Sequence, residues 1–443
     1  MTRPPTPDLL AQLAALLGPK GFATDDDSLA PWLTDWRGKY HGRAAAMLSP
    51  ATTAEVAAVV RLCAAQDVAI VPQGGNSGMV GGATPDASGA QLLLSTRHMN
   101  RVRTIDRAAG LAMVEAGVIL ENFHNAVLAE GFRFPLTLGG KGSATIGGLV
   151  STNAGGTQVL RHGTMRALVA GVEAVLPDGQ VFDGLAPLKK DNRGYDLRHL
   201  LCGAEGTLGI VTAATLRLVP AAQDRATAWI GLASPDKALL LLRQLDAAIG
   251  APLEGFEIVP HGCLDAVLRH IPQTRHPLGG DCPWYALVEL TGDKADDLSS
   301  RLETQLAIAL QAGLIDDVVI AKNDRESDDF WRLRDSISEA ERAEGPAIQH
   351  DVSVPVDLMP RFIADNPARL AAAFPGARAL SFGHLGDGNV HHHVQPPAGV
   401  DGRAWIAAHG EDASRLVYSH VIELGGSLSA EQGIGQMKRD LFA

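Results

Sequence analysis

The sequence predicts an α+β protein of two domains or three, and three observations carry that expectation. The chain has 443 residues, too many for one ordinary core. Up to about Pro220 it alternates short helical and strand patterns, with dense glycine clusters at the junctions. Past "RLVPAAQDRATA" the glycine density falls, and longer helical patterns such as "SPDKALLLLRQLDAAIG" alternate with strands, which suggests a sheet covered on one face by helices. The expected boundaries are an N-terminal helical segment at 1–44, a glycine-rich domain at 45–220 and a second domain at 221–443.

The elements follow in order. "MTRPPTPDLLAQLAALLGPKGF" is apolar but interrupted by Gln12 and lacks a small-residue cleavage site, so it reads as a short amphipathic helix. "TTAEVAAVVRLCAAQD" is a helix opened by threonine, and "VAIVPQ" is the buried strand after it. That strand runs into "GGNSGMVGG". Near the other end, "ALSF" and "NVHHHVQ" read as two strands joined by a bend at Gly383, Gly386 and Gly388. A helical pattern from about Arg403 to Leu424 precedes "GGSLSAEQGIGQMK".

Charge and cysteine usage narrow the function. Fifty acidic against 38 basic residues leave a net charge of -12, which argues against nucleic acid or an anionic membrane surface as a partner. Cys63, Cys202, Cys263 and Cys282 are scattered without metal or redox spacing, as in reduced thiols of the cytoplasm. No stretch is long enough to span a bilayer as a helix.

Two kinds of motif carry chemistry. The first is glycine-rich. "VPQGGNSGMVGG", "LGGKGSATIGGLVSTNAGG" and "CGAEGTLGIVT" are three separated loops at strand ends, all in the first half of the chain. Glycine lets the backbone approach a pyrophosphate, and successive N–H groups form a concave anion site, so the three fit one large cofactor. Ser143, Thr145 and Asn153 offer further hydrogen bonds. Neither G-x-G-x-x-G nor G-x4-G-K-[ST] occurs, which removes the main support for nicotinamide and P-loop nucleotides. The second motif is "FGHLGDGNVHHHVQ". His384 and His391 flank one tight loop, and alternation along the strand puts His391 and His393 on one side and His392 on the other. Two histidines with Glu431 downstream make the donor set of an open metal site; strand-end histidines satisfied by the backbone are the other reading.

Together, "VPQGGNSGMVGG", "LGGKGSATIGGLVSTNAGG", "KKDNRGYDLRHLLCGAEGTLGIVT", "GHLGDGNVH" and "SAEQGIG" resemble the FAD-dependent D-2-hydroxyglutarate and D-lactate dehydrogenase family of the vanillyl-alcohol-oxidase superfamily. The resemblance runs in order from about Asp35 to the last residue. It implies an FAD-binding domain of two α/β subdomains, then an α+β substrate domain with a largely antiparallel sheet. It implies FAD held without a covalent bond, and the first loop has no His or Cys to form one. The implied cofactor contacts are Gln73, Gly74, Gly75, Asn76, Ser77, Gly78, Met79, Gly142, Ser143, Gly147, Gly148, Asn153, Glu205, Gly209 and Ile210. The family's metal ligands match His384, His391 and Glu431, with zinc the expected divalent ion. Its carboxylate-binding arginine matches Arg334 in "WRLRDSISEA" and a neighbouring threonine matches Ser338, four residues on and so on one helix face.

Three departures bear on the reaction. Gln349 stands where the family commonly has lysine, His393 where it has asparagine, and Gln432 where it has the histidine of "EHGIG", the family's general base. Glutamine is a poor proton acceptor, so His393 becomes the expected base. Loss of a cation weakens the case for a second substrate carboxylate. The chain also ends at "KRDLFA", where the family continues through another helix, so a shortened C-terminus is expected. The implied activity is oxidation of a D-2-hydroxy acid to the 2-oxo acid. Its alternatives are a D-lactate or glycolate type of dehydrogenase, and a flavin-binding protein with little activity. The implied partners are the small-molecule acid and an electron acceptor, whether a transfer flavoprotein, a cytochrome or a quinone; a homodimer is the candidate assembly.

Overall fold

Thr52 opens the helix Thr53–Ala64, its hydroxyl accepting from the Glu55 N–H, so the capping residue read from sequence is the capping residue in space. The strand Ile70–Gln73 follows it. The structure is a computed structural model, and residues 3–442 of it are described. Two units form. One comprises Met1–Gly156, Gly163–Ala221 and Gln432–Ala443; the other comprises Thr157–His162 and Ala222–Glu431.

The first unit holds two larger sheets. Phe22–Ala23, Met47–Leu48, Leu92–Ser95 and Ile70–Gln73 lie in that order, the last three parallel to one another. Leu9 and Leu13 of the helix Pro7–Gly21 share an interior with Val56, Val59, Leu92 and Leu94. The second sheet is antiparallel, in the order Val102–Asp106, Leu111–Glu115, Ile210–Arg217, Val169–Val175 and Val181–Gly184. Its core takes in the short helix Ile146–Thr152 through Ile146, Leu149 and Val150.

The second unit is built on seven antiparallel strands, ordered Asp317–Ile320, Asp224–Leu232, Trp284–Gly292, Leu253–Pro260, Arg378–His384, Asn389–Gln395 and Ile348–Ser353. The expectation of a sheet covered on one face does not hold. Ala228, Ile230 and Phe256 meet Leu241 of the helix Pro235–Ile249, Leu302 of Leu298–Gln311 and Phe362 of Met359–Ala373. Trp229, Tyr285 and Leu287 point the other way, into a core with Val267 of the helix His261–His270 and Leu333 of Asp324–Asp335. Strands buried on both faces lose the polar alternation that would mark an open side.

Among the described residues no helix is long and apolar enough to cross a membrane.

Candidate active-site and cofactor residues

The histidine pair arises from a tight reversal. Arg378–His384 and Asn389–Gln395 pair antiparallel with His384 opposite Asn389 and Phe382 opposite His391. Gly388 makes the turn at φ 81°, where a Cβ would strike the Val354 carbonyl. One ligand atom each from His384, His391 and Glu431 lies within 4.8 Å of the others. His384 Nε2 is 3.7 Å from Glu431 Oε1, and the two imidazole rings are 5.4 Å apart at 80°.

The supporting residues come from other strands. Glu257, opposite His384 on Leu253–Pro260, sits with Oε1 2.5 Å from His384 Nδ1. That contact assigns the proton to Nδ1 and leaves Nε2 as the donor atom, the usual support for a metal-binding histidine. Glu257 Oε2 accepts from Arg334 Nε at 2.7 Å, and Arg334 Nη2 lies 3.4 Å from His384 Nε2. Glu431 is placed by its own N–H, which donates to Asp351 Oδ2 at 2.9 Å, while Asn389 Nδ2 donates to Asp351 Oδ1.

Burial and neighbouring charges set the protonation of these groups. Burial works to raise Glu257, but Arg334 and His384 outweigh it and hold the carboxyl down to about 2. Burial works to lower His384, and Glu257 with Glu431 overrides it to about 9. His391 is pushed down to about 3 by burial and by the charges of His384 and Arg334. Glu431 is lifted to about 7 by burial, with Asp351 and Asp387 adding to it. A carboxyl so crowded by acids, beside a neutral imidazole, gains from a divalent ion. The donor set therefore fits one.

The remaining expected residues are distributed unevenly. His393 shares the His391 face, 5% exposed, with Nδ1 2.6 Å from Glu341 Oε2. Gln349 is its cross-strand partner, partly buried. Ser338 does not join them. The single helix expected over Arg334 and Ser338 is two, Asp324–Asp335 and Ile337–Glu344, broken at Ser336, and Ser338 is exposed. The halves bury different residues, Phe330 and Leu333 against Ile337 and Ala340, and this removes the shared face. Gln432 follows Glu431 in the chain and is partly buried.

In the first unit the three glycine loops converge. A Cβ at Gly75 would collide with the Ser143 carbonyl, one at Gly74 with the Thr145 hydroxyl, and one at Gly206 would come 2.6 Å from Pro72. Gly147 lets its helix close on Ala116, where a Cβ would sit at 2.6 Å. A Cβ at Gly78 or Gly139 would meet nothing within 4 Å. Among the described residues none supplies an acceptor to the N–H groups of Asn76, Ser77, Gly78 and Met79. Thr145 Oγ1 is buried without a partner. Those donors suit the phosphates of an extended cofactor such as FAD.

Several of the residues expected at the cofactor also have side chains that bond the chain itself. Gln73 Nε2 donates to the Trp32 and Ala83 carbonyls, and Asn76 Nδ2 to the Thr34 carbonyl. Asn153, at φ 48°, ends its helix and accepts from the Arg166 N–H. Glu205 accepts from the Ile434 and Gly435 N–H groups. Ile210 pairs with Val175 inside the sheet, where a Cβ at the neighbouring Gly209 would lie 3.0 Å from the Val175 carbonyl. Gly142 and Ser143 are exposed, Gly148 lies 3.4 Å from Thr145 Oγ1 by its would-be Cβ, and Met79 Sδ takes the Arg37 guanidinium at 3.5 Å.

Sequence reasoning missed Glu257, Asp351 and Glu341. The available signal was weak: "EGFEIVP" and "IQHDVSVP" each place an acid inside an otherwise strand-like run. Glu341, on an ordinary polar helix, gave none.

A family model described as the FAD binding domain matches residues 44–184, and one described as FAD linked oxidases, C-terminal domain, matches 221–443. The mitochondrial D-2-hydroxyglutarate dehydrogenase of Arabidopsis thaliana is 36% identical over 427 residues, 96% of this chain and 74% of that protein. A putative mitochondrial D-lactate dehydrogenase of Schizosaccharomyces pombe is 32% identical, covering 94% of this chain and 79% of its own. Among solved structures, an alkyldihydroxyacetonephosphate synthase superposes with TM-score 0.74 at 17% identity, over 100% of this chain and 84% of that one. That likeness speaks for the fold alone.

Proposed function

The chain belongs to the FAD-linked oxidase family, and on that premise we propose that it oxidises a D-2-hydroxy acid, of the D-2-hydroxyglutarate type, to the 2-oxo acid. The observation that carries the reading is the convergence of His384, His391 and Glu431 beside Arg334, with His384 oriented by Glu257. FAD, when bound, supplies the acceptor for the Cα hydride. A divalent cation held by the three ligands, zinc in our reading, supplies Lewis-acid activation of the substrate hydroxyl.

The chain's own residues do the rest. Arg334 is partly buried with its Nε fixed on Glu257, which presents the rest of the guanidinium to a substrate carboxylate. Its charge is secure, since Glu257 more than offsets the cost of burial. His393 takes the hydroxyl proton on Nε2, because Nδ1 is engaged by Glu341. Gln432, at the position where the family's base stands, serves as a hydrogen-bonding group. Electrons then leave to a transfer flavoprotein, a cytochrome or a quinone. Four unpaired, buried cysteines support a reducing compartment such as the cytoplasm, although the names of these relatives place them in mitochondria.

Anaerobic mixing of the purified holoprotein with D- and L-2-hydroxy acids tests the reading. Bleaching of the flavin by D-acids alone, abolished by chelation, is the expected result; no bleaching by any of them would refute it. His393→Ala should retain FAD and metal while turnover collapses, and unchanged turnover would remove His393 from the mechanism. A monocarboxylate substrate is the second reading, favoured by Gln349 on the His393 face and by the D-lactate relative. A higher kcat/KM for D-lactate than for D-2-hydroxyglutarate would select it.

A further inference from the structure

Glu205 combines an unusual backbone conformation with a carboxylate given to the C-terminal loop. Its φ is +49°, a region that costs a side chain of this size strain and persists only where the surroundings impose it. Its own N–H donates to the Ser151 carbonyl at 2.8 Å, which locks that conformation. The carboxylate spans two successive amides. Oε1 accepts from Ile434 N–H at 2.7 Å and Oε2 from Gly435 N–H at 2.8 Å, so both oxygens are spent on the C-terminal loop.

The loop is shaped for that grip. Gly433 and Gly435 stand at φ 82° and 50°; a Cβ at Gly433 would come 2.9 Å from Glu205 Oε1, and one at Gly435 would strike the Val80 carbonyl. Just beyond, Gln436 and Met437 donate their N–H groups to the Val80 carbonyl, and the Gln436 side chain bonds Gly81, Thr84 and Tyr40. Ile434 and Gly435 lie three and four residues after Glu431. On its other side Glu431 is tied by its N–H to Asp351.

We propose that Glu205 is a positioning residue: by pinning Ile434 and Gly435 it fixes the course of the loop that carries Glu431, and so sets the affinity of the His384–His391–Glu431 donor set for a divalent cation. This rests on the metal reading above. Without the grip, the third ligand keeps its anchor at Asp351 but loses the one at Glu205, and it must be ordered at the moment the ion binds. Supporting residues of metal ligands change affinity by about 10–100-fold, and that is the size of loss expected here.

The test uses the full-length holoprotein and two variants, Glu205→Gln, which keeps the shape but exchanges one acceptor for an NH2, and Glu205→Ala. Three quantities are measured: flavin bound per chain, the Zn2+ dissociation constant, and deuterium uptake of the peptide spanning 431–437. The proposal expects unchanged flavin, Zn2+ binding weakened about 10–100-fold and faster exchange at 431–437. It also expects turnover to recover as Zn2+ is raised while the melting temperature measured without Zn2+ stays at the wild-type value, a combination that general destabilisation would not produce. Loss of flavin with Zn2+ affinity intact would make Glu205 a cofactor contact and overturn the proposal, as would wild-type values for all three. If Glu205→Ala does not fold, Glu205→Gln decides. A wild-type protein that binds no Zn2+ would defeat the metal reading and this proposal with it, and is told apart because the failure precedes any substitution.

Discussion

In the glycine-loop unit the side chains of Gln73, Asn76, Asn153 and Glu205 all bond the chain itself, and the N–H groups of Asn76–Met79 remain for a ligand. In the sheet unit the order is reversed. The backbone around His384 and His391 is consumed by the ladder, and imidazoles and carboxyls remain. An extended polyanion is met by backbone donors, which every residue supplies, so the sequence requirement there is for residues that do not obstruct. A divalent ion, as proposed for the sheet unit, would need particular lone pairs, so the requirement there is for named side chains on a rigid frame.

The largest effect that would break this contrast is at Gly75. Gly75→Ala drives a methyl into the Ser143 carbonyl, backbone against backbone, and should yield protein without bound flavin, read from absorbance of the purified chain. Full flavin occupancy would mean the loop is not a backbone cradle. Next in size, His384→Ala should lower turnover by on the order of 10²-fold or more while flavin content holds, and should lower the melting temperature, since the buried Glu257 carboxylate loses one of the two cations beside it. Glu257→Gln should weaken metal binding about 10–100-fold, measured by metal content after dialysis against a chelator series.

Acid should sharpen the contrast further. The Glu257 carboxyl is held at about 2 in the folded chain against an ordinary 4.5, so the stability it contributes is complete above about 4.5 and is lost as pH falls through about 2. Urea midpoints of the wild type should therefore drop below pH 4.5 more steeply than those of Glu257→Gln. The smallest effect belongs to Ser338→Ala. The side chain is exposed, so kcat/KM should stay within about twofold. A larger loss would return Ser338 to the substrate.

Local signals proved readable where the physics is local. Thr52 caps its helix, Gly388 turns the histidine hairpin at positive φ, and alternation puts His391 and His393 opposite to His392, which packs on Phe362 instead. Arg334 and Ser338 show the limit. A spacing of four residues reads as one face only if the helix continues, and which surface each half buries decided that it does not.

By itself, then, the chain determined its capped helices, its glycine bends, the histidine pair with its strand phase, and family motifs distinctive enough to imply a flavin. Only tertiary structure decided who stands behind those residues: Glu257, 127 positions from His384, Asp351 under Glu431, Glu341 on His393, and Glu205 turned to the C-terminal loop. The physical reason is that backbone conformation answers to neighbours a few residues away. A buried carboxyl's partner is chosen by strand register and helix docking, which sum over the whole fold.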